Sequence, residues 1–121
     1  MITALPVAED KGLDSALDPR FGRAPGFIIY DTETAQFSYT PNTQNYEAAQ
    51  GAGIQTAQHI LEQHATAVIS GLCGPRAYKV LSKAGIDLYY KKGGTVHEAL
   101  IDLEQKRLKH TDEANIEGQW V

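Results

Sequence analysis

The chain has 121 residues, 42% of them hydrophobic and 21% charged, with one Cys and one Trp. That length suits one domain with its own core and leaves no room for two, and a single Cys excludes an intrachain disulfide. Fifteen Asp and Glu against 11 Lys and Arg give a net charge of -4, a poor footprint for nucleic-acid binding.

Met1 leads straight into an alternating apolar stretch, without the basic region that opens a secretory signal. No apolar run approaches the ~20 residues of a membrane span. The expectation is a reduced, cytoplasmic protein with neither membrane nor nucleic acid as partner.

Ile2 to Val7 alternates and predicts the first strand. Glu9 to Pro25 is polar and broken by Gly12, Pro19, Gly22 and Pro25, which reads as a long loop. Phe27 to Tyr30 and Gln36 to Thr40 predict a second and third strand, joined by a link short enough for an antiparallel hairpin. Pro41 to Gln50 is a further polar loop. Gly51-Ala52-Gly53 opens a first helix whose apolar face carries Ile54, Ala57, Ile60 and Leu61.

Ala67-Val68-Ile69 is the short apolar run of a buried central strand. Gly74 and Pro75 open a second helix with Ala77, Val80, Leu81 and Ala84 at i, i+3, i+4, i+7, and Gly85 stops it. Ile86 to Tyr90 predicts a fifth strand. Thr95 and Glu98 have capping-box spacing for a third helix with Val96, Ala99, Leu100 and Leu103 inward. Residues 1–108 then form one α/β domain, and 109–121 a polar tail on which Trp120 is the one docking candidate.

The order β-β-β-α-β-α-β-α implies a five-stranded mixed sheet, order 3-2-1-4-5, with strand 2 antiparallel and helices on both faces. Strands 1 and 4 then form a topological switch point with a crevice at their carboxyl ends. Arg20, Phe21, Gly22 and Arg23 reach that edge from one loop, Cys73, Gly74 and Arg76 from a second, Lys91 and Lys92 from a third. All three helix N-termini point there too. Such an edge favours an anion. Glu9, Asp10, Asp14, Asp18 and Glu47 share these loops, so a solvated edge with no ligand is the alternative.

No P-loop, dinucleotide fingerprint or nucleophile elbow is present. Strands 1 and 4 lack the inward carboxylates of a two-metal nuclease. His59, His64, His97 and His110 lack the spacing of a metal cage, and no Cys-x-x-Cys exists. Cys73 has two readings. Its place before a helix N-terminus, near Arg76, favours a thiolate and metal ligation; a small apolar residue closing a buried strand fits equally.

Asp18-Pro-Arg-Phe-Gly-Arg-Ala-Pro-Gly-Phe-Ile-Ile-Tyr-Asp31 resembles the dinitrogenase iron–molybdenum cofactor biosynthesis family. Gly71-Leu-Cys-Gly-Pro-Arg-Ala-Tyr78, Leu81-Ser-Lys-Ala-Gly-Ile86 and Gly94-Thr-Val-His-Glu-Ala-Leu100 match later family blocks in order, over about residues 1–108. The resemblance implies a ribonuclease-H-like fold and non-catalytic, non-covalent binding of a molybdenum-containing metal–sulfur cluster. Nitrogenase-linked members tend to carry His-Phe-Gly where this chain has Arg20-Phe21-Gly22. An Arg pairs with an anionic sulfide surface but does not coordinate a metal. That departure fits the branch holding a molybdenum–copper sulfide cluster better than an iron–molybdenum cofactor carrier. The competing functions are an interaction module of a multiprotein complex, and a small-anion binder or enzyme acting on phosphorylated metabolites.

Overall fold

The computed structural model describes residues 1–42, 52–71 and 73–111. Six strands, β1 (Ile2–Val7), β2 (Gly26–Asp31), β3 (Phe37–Pro41), β4 (Ala67–Ser70), β5 (Asp87–Tyr90) and β6 (Lys109–His110), form one sheet ordered β3-β2-β1-β4-β5-β6. The helices are α1 (Ala52–Glu62), α2 (Pro75–Lys83) and α3 (Val96–Glu104). β1 pairs parallel with β4, and β4 with β5, whereas β2 and β6 run antiparallel to their neighbours. The predicted order of the first five strands is the observed one.

The sheet has six strands where the sequence predicts five. Lys109 and His110 pair with Tyr90 and Tyr89, and the Thr111 N–H donates to the Leu88 carbonyl at 2.7 Å. A two-residue polar strand carries no periodicity to read. It forms because it covers the open edge of β5, whose backbone groups would otherwise face water unpaired. The loop expected over Pro41 to Gln50 lies, beyond Asn42, outside the described residues; so do Leu72 and Trp120.

Alternation along the strands divides the core in two. Ala4, Phe27 and Val68 face α1 and α2, where they pack with Ile60, Ala77 and Leu81. Their neighbours Leu5, Ile28 and Ile69 face the other way and pack with Val96 and Ala99 of α3. A buried side chain of this size contributes about 1.5–3 kcal/mol, so register is strongly held. Pro75 occupies the first turn of α2 behind Gly74, and Gly85 supplies φ +77 just past its end. Thr95 and Glu98 form the reciprocal capping box of α3. Ala84 is the exception to the predicted apolar stripe: it is the C-cap of α2 and is exposed.

Candidate functional site

The carboxyl ends of β1, β3, β4 and β5 share one edge of the sheet, and α1, α2 and α3 each follow a strand that ends there. The loop after β1 is tied down at several points. A 3-10 turn spans Gly12–Asp14, Ala8 N–H donates to the Ala16 carbonyl at 3.1 Å, and Leu17 N–H to Gly94 at 2.9 Å. Val96 N–H donates to Ser15 at 3.0 Å, so this loop is sewn to the start of α3. Asp18 is buried; its N–H donates to the Pro6 carbonyl at 2.8 Å. Its Oδ1 accepts the Arg20 N–H at 2.9 Å and lies 3.4 Å from Arg20 Nε. This Asx turn, Asp-Pro-Arg, projects a guanidinium whose side chain stays 56% exposed.

Gly71 marks where three loops converge. A Cβ there would stand 2.9 Å from the Pro19 carbonyl oxygen, 3.3 Å from Pro19 Cα and 3.4 Å from Lys92 Cα. The close approach requires glycine. Between α1 and α2, Gly53 would bring a Cβ within 3.4 Å of the Ala77 Cβ, so these small residues let the two helices approach. Beside them lies a hollow of about 370 Å³ lined by Gly22, Gly53, Gly74, Pro75, Arg76 and Ala77. Among the described residues its lining combines two helix first turns with one charged group, the Arg76 guanidinium. Unpaired N–H groups and the positive dipole ends of helices suit an anion.

The nine residues named from sequence divide into four groups. Gly22, Gly74 and Arg76 line the hollow; Arg20, Arg23 and Lys92 are exposed on the loops around it. Phe21 and Cys73 are buried in the α1/α2 core, Phe21 edge-on against Phe27 with ring centroids 5.4 Å apart. Lys91 turns toward α3, its Nζ 3.0 Å from Asp102 Oδ2. Burial pushes the Cys73 thiol up to about 12 from 9.0, so it stays protonated near neutrality despite the adjacent helix terminus. Desolvation outweighs the dipole.

Among the described residues no group of three or more His, Cys, Asp or Glu could hold a metal ion. His59 is half-buried rather than fully solvated: its Nε2 is 3.1 Å from Thr40 Oγ1 and its Nδ1 3.8 Å from Glu62, which ties α1 to β3. Asp18, Asn42 and Thr56 support the Arg20–Arg23 loop and were not singled out from sequence. Asp18-Pro-Arg could have been read as an Asx turn; Asn42 and Thr56 carry no local signal.

A larger hollow lies elsewhere. About 550 Å³ lies along α3, lined by Leu13, Tyr30, Tyr89, Leu100, Ile101 and others. The sequence predicts the basic edge as the only deep polar cleft, and the α3 hollow, though larger than the one beside Arg76, is mostly apolar in lining. It takes His97 from the first turn of α3 and nothing from the first turns of α1 and α2, so size and anion chemistry point to different places.

A family model described as dinitrogenase iron–molybdenum cofactor matches residues 1–106. The apo form of the orange protein from Desulfovibrio gigas is similar at TM-score 0.88 and 32% identity, over 94% of this chain and 95% of that one. A Thermotoga protein solved by NMR is similar at TM-score 0.77 and 28% identity, over 97% and 98% of the two chains. An uncharacterized protein of Methanocaldococcus jannaschii is 28% identical over 102 residues, which cover 83% of this chain and 82% of that one.

Proposed function

The chain belongs to the dinitrogenase iron–molybdenum cofactor family, and from that premise we propose that it is a non-catalytic carrier of an anionic, molybdenum-containing metal–sulfur cluster. The observation that carries this reading is the hollow between the first turns of α1 and α2, whose one charged liner among the described residues is Arg76. Arg20 and Arg23 stand on the neighbouring loop. Backbone N–H groups and guanidinium forks donate charge-assisted hydrogen bonds to sulfide without entering a metal's coordination sphere. Cys73 is assigned to the core in this reading, since a protonated, buried thiol is a poor ligand.

Arg20 also sets the cluster type. The resemblance implies a His there in nitrogenase-linked members, and an Arg replaces coordination by charge. A preassembled molybdenum–copper sulfide anion, which brings its own ligands, fits such a site better than an iron–molybdenum cofactor needing a protein ligand. The ribonuclease-H-like kinship implied by the same resemblance belongs to this proposal. Among the described residues no helix is long and apolar enough to cross a membrane.

The test is reconstitution. Purified protein is mixed with tetrathiomolybdate, alone and with Cu(I), then separated by gel filtration and read in the visible. The expected result is a coloured protein fraction whose affinity falls as ionic strength rises, because an exposed charge-held dianion is screened. A colourless protein fraction would overturn the reading. Affinity indifferent to salt would replace electrostatic capture by direct ligation.

A further inference from the structure

The loop that carries Arg20 and Arg23 presents backbone carbonyls as well as guanidinium groups, and carbonyl oxygens repel an anion. Three of them are engaged from one side. Asn42, 4% exposed, donates from Nδ2 to the Ala24 carbonyl at 2.9 Å and from its backbone N–H to Pro25 at 2.9 Å. Thr56, wholly buried on α1, shares its hydroxyl proton between Asn42 Oδ1 at 3.2 Å and the Gly22 carbonyl at 3.5 Å. The carbonyls of Gly22 and Ala24 therefore turn toward two buried polar side chains, and that of Pro25 toward the Asn42 backbone.

We propose that Asn42 and Thr56 are positioning residues for anion binding, a clamp that draws these three oxygens inward and holds the Arg20–Arg23 loop against the first turns of α1 and α2. The inference rests on the cluster-carrier reading for its ligand but not for its geometry. No cis peptide occurs among the described residues. In a trans peptide the carbonyl and the following N–H point in opposite directions. The bond from Thr56 thus turns the Gly22 oxygen toward α1 and the Arg23 N–H away from Thr56. Gly22 lines the hollow itself, so that bond fixes the aim of a carbonyl dipole at its wall. A loop held in its binding conformation also avoids an ordering cost on association.

Thr56→Val keeps the shape and removes the hydroxyl; Thr56→Ser keeps the hydroxyl. Tetrathiomolybdate affinity should fall about tenfold in Thr56→Val and stay within about threefold of the parent in Thr56→Ser. Leu103→Ala, at the far end of α3 and packed against its core, should lower stability and leave affinity unchanged. A ligand-free measurement accompanies these. Backbone ¹⁵N order parameters over Phe21 to Ala24 should sit near about 0.85 in the parent and the Ser variant, and fall toward about 0.6 in the Val variant.

Unchanged affinity and unchanged order parameters in Thr56→Val would overturn the clamp. So would an equal loss of affinity in Leu103→Ala, which would reduce the effect to general stability. Should the parent fail to take up tetrathiomolybdate, the cluster reading falls, and the order parameters alone still decide the clamp. Asn42→Ala serves if Thr56→Val does not fold, with the same loop loosening expected.

Discussion

The two faces of the sheet solve the same covering problem differently. On one, α1 and α2 lie close together over Phe27, Val68 and Leu88, with Gly53 against Ala77 at their contact, and leave only a small hollow at their N-termini. On the other, α3 alone covers Leu5, Ile28 and Ile69, and leaves the larger, mostly apolar hollow with Ile101 and Met1 exposed beside it. Thr3 belongs to this second side by strand alternation. Its hydroxyl is the one buried side-chain polar atom without a hydrogen-bond partner among the described residues. Hollow volume thus follows how many helices cover a face. Capacity for an anion follows where glycines and helix N-termini meet.

The difference should be plainest in stability. Leu81→Ala removes a fully buried side chain from the two-helix face and should cost about 2–5 kcal/mol, read by urea unfolding. A loss under about 1 kcal/mol would mean that this face is not the tighter one. Binding should separate the faces next. Arg20→Ala combined with Arg23→Ala should lower tetrathiomolybdate affinity by about two decades, since charge-assisted contacts contribute about 1.5–3 kcal/mol each. Isothermal titration decides it, and an unchanged affinity would move the site away from this edge.

Cys73 sharpens the comparison by a smaller amount. Its thiol is raised to about 12 in the folded protein from 9.0, so the folded state holds this proton more tightly than the unfolded chain. The resulting stabilisation is complete below pH 9 and is lost as pH climbs toward 12, with a slope of at most about 1.4 kcal/mol per pH unit. Cys73→Ala should remove that slope from unfolding curves measured between pH 8 and pH 11. Cys73→Ser should change tetrathiomolybdate affinity less than about threefold, and a folded variant that takes up no metal would make Cys73 a ligand. The smallest effect belongs to the α3 face: Ile101→Gln, half-exposed beside the large hollow, should shift stability by no more than about 0.5 kcal/mol and leave binding alone. A loss of binding there would join the two hollows into one functional unit.

Much of this architecture is written locally. Alternation in Ile2 to Val7, the Gly74-Pro75 start and Gly85 stop of α2, and the Thr95/Glu98 box are decided within a few residues. Right-handed crossovers then leave few ways to arrange five strands, and the predicted order is the one observed. The edge where the candidate residues gather was legible for the same reason: once the strand directions are set, loops after parallel strands must emerge together. β6 was not legible, because two polar residues gain their strand only from the edge they cover.

Side-chain direction is where sequence stops. Lys91 and Lys92 are adjacent and basic, yet Lys91 is taken by Asp102 on α3 while Lys92 stays on the loop beside Gly71. Cys73 sits before a helix N-terminus, a place that lowers a thiol's pKa, yet burial in the core raises it. Asn42 and Thr56 are 14 positions apart and meet only after β3 and α1 have packed. Sequence determines elements, caps and connection order, since those depend on near neighbours and chain handedness. Burial, ion pairing and the aim of each carbonyl depend on groups distant along the chain, and the packed structure alone decides them.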